Sequence, residues 1–322
     1  MLVLRALIFE SDELRSISTL AKRMESWGQR EREVKVVLHI KRITRVGLIV
    51  QELPNTQACI LWEPVLSIET VKSGKICRYH DNCGDASYCH RPAVTEEGYC
   101  SIHRDSWRAL YELCAQGVEE ACEKAAERAD EEFTVYALDF GGRKLKIGLT
   151  QSWRLLYRLA EQPHASAALL FKGSLLQARD LERRLGRRKR ATEGVGIGLS
   201  ERLKSSCELL SSNDPFPIAS RLAVALAELG LDGVFDAFTI LPRFFKLELF
   251  SQFTSIELRE LLGRRLKLCD YWAGLLVLRD QDSGELLILN KNEALHKPVK
   301  ATVTESRSGE GGLTTARSAG MV

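Results

Sequence analysis

FTVYALDFGGRKLKIGLTQSWRLLYRLAEQ, residues 133 to 162, carries the two periodicities from which the centre of this chain is built. FTVYALDF and RKLKIGLT are runs rich in β-branched and aromatic side chains, and Gly141-Gly142 between them signals a hairpin. SWRLLYRLAEQ then changes to helical spacing. SAALLFKG follows as a further strand, SLLQARDLERRLGRRKR as a helix opened by Ser174, and ASRLAVALAELG as a helix closed by Gly230. Residues 133–235 are therefore expected to form one α/β unit.

The hairpin loop decides which side chains share a face. A loop of the two glycines alone puts Tyr136 with Leu145 and Ile147, facing away from Lys146. A loop of Gly141, Gly142 and Arg143 reverses the parity and puts Tyr136 beside Lys146. Both registers are open at the level of sequence. In the helix from Ser174, residues Leu175, Ala178, Glu182 and Leu185 share a face. A carboxylate in an apolar stripe requires a metal or a cation, and Arg158 is the nearest expected partner.

Upstream, CRYHDNCGDASYCHRPAVTEEGYCSIH, residues 77 to 103, holds four of the nine cysteines and three of the six histidines. Tetrahedral zinc takes four thiolate or imidazole ligands, commonly as two close pairs. Cys100 and His103 form one such pair, and Cys83 and Cys89, either side of a GDAS turn, form another. Cys77, His80 and His90 are further candidates, so the set Cys77, Cys83, Cys89, Cys100 and His103 holds more ligands than one ion needs. The dominance of thiolates favours a closed, structural zinc site that organises a segment poor in apolar residues.

Residues 1–75 read as an α+β unit, with SDELRSISTLAKRMESWG as a helix between Ser11 and Gly28, and VKVVLHI, GLIVQEL and ACILWEPVLSIETV as strands. Residues 76–104 form the zinc module and 105–132 a helical connector broken at Gly117. Residues 236–298 form a β-rich unit, and 299–322 are expected to be a disordered tail. The fold class expected is α+β: a mixed, multi-unit chain. With 45% hydrophobic and 28% charged residues over 322 positions, the composition is that of a globular protein. No apolar run approaches the roughly 18 residues of a membrane span, and no secretory leader or anchor is seen, so a cytoplasmic location without membrane association is expected. A net charge of +3 gives no global argument for nucleic acid, and any such argument is local.

VYALDFGGRKLKIGLTQSWRLLYRLAEQ followed by ARDLERRL resembles the GIY-YIG nuclease superfamily, in particular its divergent branches. More closely, it is similar to an archaeal family that joins a Cys/His module to such a segment. The resemblance covers residues 77 to 200. It implies that Tyr136 stands for the first tyrosine of the family hairpin, Lys146 in KIG for the second, Arg158 for the helix arginine, and Glu182 for the glutamate that binds one divalent ion, Mg2+ or Mn2+. The implied reaction is phosphodiester hydrolysis. Lysine in place of tyrosine departs from that pattern, because a cationic lysine clamps phosphate and is no base unless burial depresses its pKa. His164 is the substitute base nearest in sequence.

Arg179, Arg183, Arg184, Arg187, Arg188, Lys189 and Arg190 crowd one helix end with only Asp180 and Glu182 as counter-charges. Such an excess points to phosphate contacts from Arg183, Arg184, Arg187, Arg188, Lys189 and Arg190, which confer affinity without sequence preference. The expected function is a zinc-containing nucleic-acid-binding protein, either a divalent-metal-dependent nuclease or a non-catalytic factor of a ribonucleoprotein or repair complex.

Overall fold

A computed structural model describes residues 1–23, 32–81, 87–142, 144–188, 191–192, 198–211, 214–243, 250 and 256–304. The chain runs β1 (Leu2–Arg23), β2 (Arg32–Glu52), β3 (Ala58–Trp62), β4 (Val65–Val71), α1 (Trp107–Ala115), α2 (Glu119–Ala126), β5 (Phe133–Asp139), β6 (Leu145–Gln151), α3 (Leu155–Ala160), β7 (Ser166–Gly173) and α4 (Leu175–Gly186). It continues with β8 (Ala191–Thr192), α5 (Leu199–Leu210), α6 (Phe216–Glu228), β9 (Gly233–Leu241), β10 (Arg265–Trp272), β11 (Leu275–Asp280), β12 (Leu286–Asn290), α7 (Lys291–Ala294) and β13 (Pro298–Thr304). The class is mixed α and β with strand predominating.

Two compact units form, one from Met1–Glu10, Thr44–Arg128 and Thr254–Val322, the other from Ser11–Ile43 and Ala129–Phe253. This division cuts across the six consecutive segments read from the sequence. β1 and β2 are long enough to contribute to both units. β9 belongs with the central unit, where it runs parallel to β2 and antiparallel to β7. It is not the first strand of a separate C-terminal domain.

In the first unit, β10, β11 and β12 form an antiparallel meander, β4 joins β10 to β13, and β13 pairs with β1. Buried Leu266, Leu268, Trp272, Val277 and Leu289 supply its core. The tail expectation is corrected here: residues 299–304 are strand, paired along their length with β4 and at Val299 with β1, while 305–322 lie outside the described residues. α1 and α2 separate around Gly117, where the sequence reading placed a break, and are joined by a Cys114–Cys122 disulfide that it did not anticipate.

In the second unit, the helix expected from Ser11 is strand as far as Arg23. Leu14 and Leu20, which with Ile17 make a helical i, i+3 stripe, are 51% and 49% exposed, whereas Thr19 is buried. Cross-strand polar contacts replace that stripe: Glu13 meets His39 by a hydrogen bond and Lys41 by an ion pair, and Lys22 pairs with Glu33. The period-two reading wins because β1 lies beside β2 in the sheet, and pairing there outweighs a weak helical propensity.

The hairpin of β5 and β6 turns between Asp139 and Leu145, with Gly141 at φ +89; Arg143, of the longer loop considered, lies outside the described residues. Asp139 holds the turn, accepting hydrogen bonds from the Gly141 amide (2.8 Å) and from Arg221 Nε (2.7 Å). The ladder sets Tyr136 opposite Gly148 and Leu138 opposite Lys146. Opposed residues share a face, so Tyr136 and Lys146 lie on the same side, the parity of the longer of the two loops considered. α4 packs behind this hairpin, opened by a capping box in which Ser174 and Gln177 bond reciprocally.

Candidate metal centre and cation cluster

The Cys/His segment contains few regular elements, and backbone hydrogen bonds set its shape. Cys77 N–H donates to the Arg91 carbonyl (2.8 Å), Cys89 N–H to Tyr79 (3.0 Å) and His103 N–H to Cys100 (3.1 Å). These bonds bring Cys77, Cys89, Cys100 and His103 together with all four ligand atoms within 4.8 Å of one another. Cys89 and Cys100 Sγ are 3.9 Å apart, and His103 Nδ1 is 3.4 Å from Cys100 Sγ and 3.6 Å from Cys77 Sγ. Tetrahedral zinc, with bonds of about 2.3 Å to sulfur and about 2.0 Å to nitrogen, places sulfurs ~3.8 Å apart and a sulfur–nitrogen pair ~3.5 Å apart. The donor set therefore fits a tetrahedral ion. Cys83 lies outside the described residues, and the four described ligands form a complete tetrad without it.

Burial raises the Cys77 thiol to about 12 and raises Cys89 as well. At Cys100 burial pushes upward too, but amides of His103 and Ile102 directed at the sulfur bring the net shift down. Burial lowers His103, keeping the imidazole in its neutral, ligating form. The His103 ring stacks on Tyr79 at 3.9 Å between centroids. His80 pairs with the Tyr88 ring instead of joining the tetrad. His90, a further candidate, is not part of it either.

Sequence reasoning missed the support beneath this tetrad. Arg5 on β1, only 2% exposed, donates from Nη1 to the Cys77 carbonyl (2.8 Å), from Nη2 to the Cys89 carbonyl, and from Nε to Gln51 Oε1 (2.6 Å). Gln51 Nε2 in turn donates to the Tyr88 carbonyl at 3.0 Å. Burial pushes the Arg5 pKa down to about 10. One signal was legible, an arginine inside the apolar run MLVLRALIF.

In the second unit, Tyr136 is buried with its ring across Gly148, where a Cβ would stand 2.6 Å from the phenol oxygen. Gln162, just after α3, donates through Nε2 to the Tyr136 hydroxyl (3.2 Å) and accepts at Oε1 from Lys146 Nζ (2.6 Å). Tyr136, Gln162 and Lys146 thus form one chain of hydrogen bonds. Lys146 is lowered to about 8, by burial first and then by Arg158 and Arg202, with Glu182 opposing. The Arg158 pKa is raised, chiefly by the Tyr136 phenol and then by Glu161, which it meets at 2.9 Å.

No family model, curated protein or solved structure matches the chain.

The remaining candidates divide. Glu182 is buried as the stripe required, but it pairs with Arg179 at 2.5 Å, whereas Arg158, the partner expected from the sequence, pairs with Glu161. The i, i+3 spacing on α4 makes Arg179 the shorter reach. Arg184 pairs with Asp180 (2.9 Å), Arg188 donates to the Leu229 carbonyl beyond α6, and Arg187 is exposed. Arg183 is half-buried, and Lys189 and Arg190 lie outside the described residues. His164 is fully buried, with Nδ1 bonded to the Gln162 carbonyl (2.9 Å) and Nε2 unpartnered; burial lowers its pKa to about 4. That position closes it to substrate and removes it as a base. Arg202 on α5, not singled out from the sequence, joins the site by its effect on Lys146. Among the described residues no helix is long and apolar enough to cross a membrane.

Proposed function

We propose that the chain is a zinc-containing nucleic-acid-binding protein whose central unit, GIY-YIG-like in its order of elements, grips backbone phosphate with Lys146, Arg158 and Arg202. Zinc sits at Cys77, Cys89, Cys100 and His103; the support is the match of the donor separations to a tetrahedral ion. The observation that carries the phosphate reading is a cation excess on one side of the hairpin. Arg154 and Arg158 share Glu161, Arg179 pairs with Glu182, and Lys146 feels Arg158 and Arg202 as like charges with Glu182 opposing them. Half-buried cations that repel one another are stabilised by an added anion, and phosphate supplies the charge and the acceptor oxygens. The exposed Arg187 extends this basic character along α4.

Non-catalytic binding is the reading favoured here, because the Tyr136 hydroxyl accepts from Gln162 in a buried site and Lys146 replaces a phenol with an ammonium. Hydrolysis is the second reading, favoured by the electrostatic reach between Glu182 and Lys146. In it Mg2+ or Mn2+ must displace Arg179 from the carboxylate. The test is fluorescence anisotropy with labelled single-stranded and duplex DNA and RNA across a salt series, beside cleavage assays with each ion. Steeply salt-dependent binding, weakened by Lys146→Ala, with the same background cleavage in wild type and Glu182→Ala, supports the binding reading. Cleavage abolished by Glu182→Ala supports the nuclease, and absence of salt-dependent binding removes both. A cytoplasmic setting and a ribonucleoprotein or repair partner accompany the proposal.

A further inference from the structure

Arg5 is a buried cation whose polar partners are neutral. They are the carbonyls of Cys77 and Cys89, the Gln51 amide oxygen and His296 Nδ1 at 3.5 Å, with the Tyr88 ring face 5.3 Å away. Among the described residues no carboxylate pairs with it. A buried charge without a counter-charge is expensive, and hydrogen bonds to neutral oxygens offset only part of the cost. The charges around the tetrad do not supply the missing anion. Arg78 is bound to Glu112 (3.2 Å), and Asp81 and Arg91 act on His103 with opposite signs.

The tetrad itself supplies it. Three thiolates and a neutral imidazole around a divalent ion carry a net charge of −1, which the single guanidinium cancels. A monovalent ion in the same ligands leaves −2, and a trivalent ion leaves the centre neutral and the arginine uncompensated. Both ligand carbonyls that Arg5 grips precede the next peptide of a ligand loop, so its fork fixes the loops and the charge together.

We propose that Arg5 is the charge partner of the Cys77–Cys89–Cys100–His103 centre and tunes it to a divalent ion. The inference rests on the metal reading above and adds to it the charge of the centre and the residue that answers it. Gln51 positions the guanidinium, its own amide being fixed by the Tyr88 and Asn55 carbonyls.

The experiment measures zinc affinity of the full chain by competition with a chromophoric chelator, for wild type, Arg5→Met and Arg5→Lys. Co2+-loaded protein reports ligand geometry through its thiolate charge-transfer and d–d absorption. The expected result is about 10- to 100-fold weaker zinc binding in Arg5→Met, with an unchanged cobalt spectrum, and affinity near wild type in Arg5→Lys. Wild-type affinity in Arg5→Met overturns the proposal. So does an equal loss in Arg5→Met and Arg5→Lys, because the carbonyl clamp then matters and the charge does not. Should Arg5→Met fail to fold, Arg5→Lys decides: retention supports the charge role and a loss of tenfold or more overturns it. A wild-type chain that binds no zinc removes the metal reading itself, an outcome distinct from each of these.

Discussion

Tyr136 and Gly148 oppose each other across the β5–β6 ladder, and the phenol ring occupies the space a side chain at 148 would need. The absence of a Cβ there lets the tyrosine lie flat and aim its hydroxyl at Gln162. Gly148→Ala is expected to destabilise the protein by about 1–3 kcal/mol, since a well-packed ring must move. Urea unfolding midpoints check this, and Gly148→Ala combined with Tyr136→Leu is expected to recover part of the loss. An additive double variant contradicts the contact.

Glu182 and Arg179 form a pair in which both side chains are mostly buried, at 10% and 11% exposure. Removing one partner strands the other. Glu182→Ala is expected to cost about 3–5 kcal/mol, and Glu182→Leu with Arg179→Leu to cost far less. Thermal and denaturant unfolding of wild type, Glu182→Leu, Arg179→Leu and the double variant forms the cycle, with Glu182→Ala measured beside it. A Glu182→Ala chain as stable as wild type removes the structural role of the pair.

Lys146 gives the phosphate proposal a pH signature. Its pKa is lowered from 10.5 to about 8, so the ammonium is lost in the folded protein as pH rises through about 8. Nucleic-acid affinity is expected to fall across that range, and Lys146→Met to bind weakly with a flatter profile. The folded chain releases this proton before the unfolded one does, so Lys146 makes stability rise between about 8 and 10.5. Anisotropy and unfolding measured over the same pH series separate the two effects.

His164 acts at the acid end. Its folded pKa is depressed from 6.5 to about 4, so the unfolded chain binds the proton first. Stability is expected to be full above pH 6.5 and to fall as pH drops toward 4, by up to ~3 kcal/mol from this group. His296, also held neutral by burial, acts in the same direction. His164→Asn is expected to flatten the slope, and an unchanged slope contradicts the assignment.

What the sequence disclosed depended on how local the cause was. The β5–β6 hairpin, the α4 cap at Ser174 and the burial of Glu182 follow from neighbours a few residues apart, and these were legible. Residues 11–23 satisfy helical and strand spacing at once, and only the distant partner β2 selects the strand. Polar ATVT reads as tail until β4 is available to pair with it. A cluster able to hold a metal was legible in the crowding of cysteine and histidine, but the choice of the four residues that come together was not. Cys77 joins Cys89 and Cys100 through bonds that form only on folding, and Arg5 and Gln51 come from separate strands far upstream. Glu182 meets Arg179 because the helix sets the two three residues apart on one face.

The most direct measurement is the zinc content of the purified full-length chain, with Cys100→Ser, His103→Ala and Cys83→Ser beside it. One zinc per chain in wild type and Cys83→Ser, lost or strongly weakened in Cys100→Ser and His103→Ala, is the expected result. A folded wild-type chain without zinc, or zinc retained in Cys100→Ser and lost in Cys83→Ser, contradicts the tetrad.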